Sequence, residues 1–276
     1  MNGRVVLLDS VSALGAQHAG MVVVTGSHGG VAAMRHAAAF APRALVCHDG
    51  GIGRDGAGVA GLAALAVPAA AVDGRGARIG DSWDLWQRGA ISRVNHAAAK
   101  LGLRPGMPVA AAVPLLLFAP TPPPAQATAP AALRVTEPRC VVADSISLLT
   151  PAHRGWIAVV GSHAAPAAVA IGLPIGLAGC LHHDAGAIED GGCEAHGIAG
   201  LALWDRIPAA AVSGRTARIG DGEDVLARGV LSAVNAAAAS SGLRPGMTAR
   251  DAVLALARYH HQQAAGQRPA RRGDEA

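Results

Sequence analysis

Ala77-Arg78-Ile79-Gly80-Asp81 recurs without change as Ala217-Arg218-Ile219-Gly220-Asp221, and this pair of stretches decides how the chain is read. Working outward from it, Leu103-Arg104-Pro105-Gly106-Met107 returns at Leu243 to Met247, and Gly58-Val59-Ala60-Gly61-Leu62 returns as Gly197-Ile198-Ala199-Gly200-Leu201. Nearer the N-terminus, Asp9-Ser10-Val11-Ser12 matches Asp144-Ser145-Ile146-Ser147, His18 matches His153, and Gly26-Ser27-His28 matches Gly161-Ser162-His163. So many matches in one order indicate an internal duplication. The division that follows is a first repeat over 1–118, a proline-rich linker over 119–138, a second repeat over 139–258 and a disordered basic tail over 259–276.

Within each copy, short apolar runs alternate with helical stretches. In the first, Arg4 to Leu8, Met21 to Thr25, Ala44 to Cys47 and Pro68 to Val72 read as strands. Val31 to Phe40 and Gly58 to Leu65 read as helices, and Ser82 to Leu101 as one long amphipathic helix carrying Ser92 and Asn95. Apolar strands bounded by turns and alternating with helices predict a buried, mainly parallel sheet. The expected fold class is therefore α/β: two tandem copies of a mainly parallel-sheet unit, related by a pseudo-twofold axis.

Composition narrows the function classes. The 276 residues are 51% hydrophobic and 15% charged, and the mean hydropathy is +0.32. The longest apolar stretch, Val109 to Ala119, is about half of the ~20 residues a membrane span needs and contains Pro114. No signal-peptide pattern is evident, so a cytoplasmic protein without membrane partners is expected. The net charge is +4, but the arginines are scattered and aromatics make up 3%, which argues against nucleic acid. The sole lysine, Lys100, follows no glycine-rich turn, which excludes a Walker P-loop. No strand is followed by the G-x-G-x-x-G turn of a dinucleotide fold.

Candidate chemistry falls at the predicted strand ends, where ligands of parallel sheets bind. The first loop is Gly26-Ser27-His28-Gly29-Gly30, answered by Gly161-Ser162-His163-Ala164-Ala165. Its serine suits a nucleophile or ligand-holding hydroxyl, its histidine a general base, and its glycines a close backbone approach to substrate. The second loop runs from His48-Asp49 through Arg54 to Asp55-Gly56, and Asp49 or Asp184 would orient the histidine. In the second copy this loop holds His182, His183, Cys193 and His196, a candidate divalent metal site such as zinc. The third loop supplies Arg78 and Arg218 as anion clamps, with Asp81 and Asp221 capping the next helix or fixing the arginine.

The expectation is a small-molecule enzyme with one composite, asymmetric site built from both copies. Its reaction would be hydrolysis of a small amide or ester of a polar or anionic metabolite, by Ser27 or an activated water. Ser27, His28, Asp49, Ser162, His163 and Asp184 are the catalytic candidates. Gly26, Gly29, Gly30, Arg54, Arg78, Asp81, Arg218 and Asp221 would hold substrate. No cofactor is required, a metal-dependent hydrolase or lyase and a non-catalytic binding module are the alternatives, and homo-oligomerisation is left open.

Overall fold

A computed structural model describes residues 4–120, 122, 132–136, 139–186 and 193–266, the side chains of 193, 194, 265 and 266 excepted. It is an α/β protein with two mixed, mostly parallel sheets in tandem. The first sheet holds β1 (Val5–Leu8), β2 (Val22–His28), β3 (Ala44–His48), β4 (Ala69–Val72) and β5 (Ile91–Val94), side by side in chain order. The second holds β6 (Leu133–Thr136), β7 (Cys140–Ala143), β8 (Ile157–His163), β9 (Gly179–His183), β10 (Ala209–Val212) and β11 (Leu231–Val234), again in chain order. β1 to β4 and β7 to β10 are parallel, while β5, β6 and β11 pair antiparallel at the edges.

A parallel sheet that winds in one direction must put all its right-handed crossovers on one face. The cores agree with this. Val11, Leu14, Leu62 and Leu65 from short 3-10 turns, with Met34 and Ala37 of α1 (Val31–Ala38), cover one face of the first sheet. The opposite face meets α2 (Ser82–Arg88), α3 (His96–Lys100) and α4 (Val109–Leu116) through Leu85, Ala98, Val113 and Leu116. The second unit repeats the plan with α5 (Pro166–Gly172), α6 (Gly222–Arg228), α7 (Ala236–Ser240) and α8 (Ala249–Gly266). Among the described residues, no helix is long and apolar enough to cross a membrane.

Several expected boundaries move. Gly26, Ser27 and His28 do not form a loop; they complete β2, which is buried throughout, and β8 ends likewise on Gly161, Ser162 and His163. The long helix over 82–101 is three elements: α2, β5 and α3. Gly89 leaves helical geometry at φ −68° and ψ 137°, and Ile91 to Val94 then pairs with β4. Ser92 is thus on a strand, and Asn95 is the cap of α3, accepting from the Ala98 amide at 2.9 Å. The predicted 58–65 helix is a 3-10 turn at Leu62–Ala64. Residues 133–136, assigned to the linker, form edge strand β6, and α8 continues past the expected fray at 258, where His260 Nε2 reaches the Ala178 carbonyl at 2.9 Å. The rest of the expected tail, 267–276, lies outside the described residues.

Candidate functional site between the two units

Open α/β sheets bind ligands where the strand order reverses, because adjacent crossovers there part to opposite faces. Neither sheet reverses among its parallel strands, so neither unit forms that crevice alone. The carboxyl ends of the two sheets meet instead. Ala57, Ile79, Ala165, Ala185 and Ile219 form a small apolar cluster across the joint. Ile79 and Ile219 are almost wholly buried in it, worth about 1.5–3 kcal/mol each. The Arg54 amide donates to the Gly214 carbonyl at 2.8 Å, its guanidinium donates to the Thr216 carbonyl at 2.9 Å, and Arg218 pairs with Asp55 at 2.7 Å.

The contacts across this joint are reciprocal. A Cβ on Gly220 would lie 2.8 Å from His28 Cε1, and one on Gly80 would lie 3.2 Å from His163 Cε1. Each glycine has positive φ, +77° and +80°, so each repeat's third motif seats the other repeat's histidine. The resulting cavity, of about 90 Å³, is lined by both Ser-His pairs together with Asp9, Ser10, Ser12, Asp144, Ser145 and Ser147. It opens into a groove of about 720 Å³, sharing Ala32, His36, Asp144, Leu148 and Gly220 with it.

The expected Ser–His–Asp relay is not assembled. Ser27 Oγ accepts the Val11 amide at 2.9 Å, and Ser162 Oγ accepts that of Ile146 at 2.9 Å. No hydrogen bond joins either serine to a histidine among the described residues. Asp49 Oδ1 takes the Gly51 and Gly74 amides, both at 3.0 Å, and Asp184 Oδ1 takes those of Gly186 and Gly214, both at 2.9 Å. These aspartates brace turns after β3 and β9 rather than orienting His28 or His163.

The histidines have a defined protonation. His28 Nδ1 accepts the Gly30 amide at 3.0 Å, and His163 Nδ1 accepts that of Ala165 at 3.2 Å. A neutral ring that accepts at Nδ1 carries its proton on Nε2. Burial, helped by His183 and His48, lowers His28 to about 3, and burial with the neighbouring His28 keeps His163 well below the usual histidine range. Both rings are therefore neutral donors at Nε2. Each is more than nine-tenths buried, and neither Nε2 has a hydrogen-bond partner among the described residues.

The metal assignment loses two of its members. His182 Nδ1 donates to the His163 carbonyl at 3.1 Å and its Nε2 accepts Trp204 Nε1–H at 3.2 Å. His183 uses Nδ1 on the Ala185 amide and Nε2 on the Ala217 carbonyl. Rings engaged at both nitrogens have no lone pair for a metal. His196 is half-buried, while the Cys193 side chain and residues 187–192 lie outside the described residues. No group of three metal-ligating side chains occurs among the described residues.

The remaining candidates make contacts within the fold. Gly26 lies where a Cβ would meet the Asp81 amide at 2.6 Å, so its bareness serves packing against the third motif. Gly29 faces Leu62 and Cys47, and Gly30 faces the His28 ring, so neither opens backbone to a ligand. Asp81 and Asp221 cap α2 and α6 as expected, each accepting an amide at 2.9 Å. The Arg78 amide donates to Asp84 at 2.7 Å, and Arg54 and Arg218 clasp the joint.

Comparison with family models, curated proteins and solved structures finds no match for this chain.

The reading from sequence missed the Asp-Ser-x-Ser segments as site residues. They follow β1 and β7, and Ser10 and Ser145 cap the 3-10 turns that begin there. Their recurrence, Asp9-Ser10-Val11-Ser12 and Asp144-Ser145-Ile146-Ser147, carried the signal. Asp9 Oδ1 is held by the Ser82 amide and hydroxyl, at 2.9 and 2.8 Å. Among the described residues, Asp144 has only backbone donors, from Gly222 and Ala132, and burial raises its carboxyl from its ordinary value.

Proposed function

We propose that the chain is an enzyme that hydrolyses a small polar amide or ester in the cavity between its two units, with water rather than serine as nucleophile. One observation carries the reading: two buried, neutral histidines from different repeats line a single cavity with their Nε2–H groups unengaged. Pre-set neutral donors stabilise the oxyanion that forms when a carbonyl is attacked, and they do so best where water is excluded. Asp144, whose carboxyl burial makes more basic, serves as general base. Water adds to the carbonyl carbon while Asp144 takes its proton; the tetrahedral oxyanion rests on His28 and His163. Collapse breaks the bond to nitrogen or oxygen, and the leaving group receives the proton from Asp144. The cavity admits the reacting group and the groove admits the rest of the substrate.

The test is a panel of small amides and esters assayed against wild type and four variants. His28→Ala and His163→Ala should each lower kcat about a hundredfold or more, and Asp144→Asn comparably, while Ser27→Ala retains most activity. Loss on Ser27→Ala with full activity in both histidine variants would refute the assignment.

A further inference from the structure

The two sheets differ at one edge. In the second unit, β6 covers β7, pairing antiparallel from Leu133 opposite Ala143 to Thr136 opposite Cys140. Every residue of β7 is buried. The equivalent strand of the first unit, β1, has β2 as its one neighbour among the described residues. Val5, Val6, Leu7 and Leu8 are each left half-buried.

The backbone on the open side of β1 matches what β6 engages in the other unit. The Val22 amide bonds the Arg4 carbonyl at 2.9 Å, so the groups of Arg4, Val6 and Leu8 face β2 and those of Val5, Leu7 and Asp9 face away. Their equivalents Cys140, Val142 and Asp144 face β6, and the Asp144 amide donates to the Ala132 carbonyl at 3.0 Å. β1 lacks the charge, proline or bulge that keeps an edge strand solitary. β6, the edge of the other sheet, carries Arg134.

The residue beside this edge changes to suit. Glu223 on α6 pairs through both carboxylate oxygens with Arg134 of β6. Its equivalent on α2 is Trp83, which is 58% exposed. An indole therefore stands where it would meet a residue of an added strand, and it suits an apolar one.

We propose that β1 pairs antiparallel with β1 of a second copy of this chain, joining two five-stranded sheets across a dyad. Arg4 and Asp9 flank the strand. Antiparallel pairing brings the Arg4 end of each strand to the Asp9 end of the other, whereas parallel pairing would set like charges together. A dyad normal to the sheet keeps its faces matched, so residues of the same face oppose each other. With Leu7 opposite the partner's Leu7, and Val5 opposite the partner's Asp9, the outward backbone groups of Val5, Leu7 and Asp9 are all engaged. The partner's Leu7 then takes the place that Arg134 holds in the other unit, against Trp83. Pairing β1 with β6 of another copy would instead build an open chain of molecules.

The test is sedimentation velocity on the full chain, with hydrogen exchange at the amides of Val5, Leu7 and Asp9. A dimer is expected, and protection of those amides should rise with protein concentration. Trp83→Glu, which copies the second unit, should weaken dimerisation about tenfold or more. Val5→Pro removes an outward amide without touching the ladder to β2, and should do the same. Circular dichroism checks the fold of each variant; if one does not fold the other decides, and if neither folds the exchange of the wild type decides. A monomer at about 100 µM, or a dimer that the folded variants leave unchanged, would overturn the proposal. So would protection of these amides that persists at dilutions where the chain is monomeric, which would place another segment of the chain on the edge.

Discussion

The two repeats agree at the ends of β2 and β8 and disagree one helical turn further on. Ser27-His28 and Ser162-His163 hold the same hydrogen bonds to the same backbone positions. Beyond them, Arg35 and His36 stand where the second unit has Ala170 and Ile171, and Cys47 stands beside β2 where the second unit has His182. The difference is instructive because each shared histidine is seated by the other unit, His28 against Gly220 and His163 against Gly80. A residue that faces across the joint is constrained from both sides. A residue at the mouth, or behind the sheet, is constrained by its own unit alone.

Acid should break the comparison most strongly. His28, His163 and His182 are all held below their ordinary value of 6.5, His182 at about 4 and His28 at about 3. The unfolded chain binds protons at these sites first as pH falls through 6.5. Stability is therefore full above that value and declines until the folded values are reached, at up to about 1.4 kcal/mol per pH unit for each group. Together they predict a loss of about 4–6 kcal/mol between pH 6.5 and 5. His182 has no counterpart in the first unit, so His182→Cys should lower the slope by one group's share, up to about 1.4 kcal/mol per pH unit, measured by urea unfolding across this range. An unchanged slope would mean that His182 is not held neutral.

Next in size are the two asparagine hubs. Asn95 Oδ1 accepts the Ala69 and Ala98 amides, and its Nδ2 reaches the Leu62, Leu65 and Val67 carbonyls. Asn235 makes the same two acceptor bonds, with donor contacts to Leu201 and Ile207. Replacement by alanine strands buried backbone groups and removes a helix cap, so each should cost about 3–4 kcal/mol. Asn95→Ala should exceed Asn235→Ala, as read from denaturation midpoints; the reverse order would contradict the contact difference.

A smaller effect tests the joint itself. Gly220→Ala forces a side chain at positive φ to within 2.8 Å of His28, whereas Gly80→Ala approaches His163 at 3.2 Å. About 2–3 kcal/mol is expected for the first and about 1–2 kcal/mol for the second. Equal costs would indicate that the two seats are interchangeable.

These differences also bear on what the residues alone could reveal. The parallel strands are legible because both their faces are buried, leaving continuous runs such as Val22-Val23-Val24. β5 and β11 are not, since Ile91-Ser92-Arg93-Val94 sits between helical stretches and only a ladder partner marks it as a strand. The shared Ser-His cavity was visible as a repeated motif. The roles within it were not, because Ser27 is claimed by the Val11 amide and Asp49 by the Gly51 and Gly74 amides, partners that tertiary structure supplies. Two of the metal candidates show the same effect: Trp204 and backbone carbonyls engage His182 and His183.

The central claim is that His28 and His163 are matched, neutral Nε2–H donors facing one cavity. Nitrogen-15 NMR of the histidine rings, recorded from pH 8 to 5 with His28→Gln and His163→Gln for assignment, tests it most directly. The account predicts that both rings show a bare Nδ1 and a protonated Nε2, with no titration over that range while the fold persists. A ring that titrates near its ordinary 6.5, or that carries its proton on Nδ1, would contradict it.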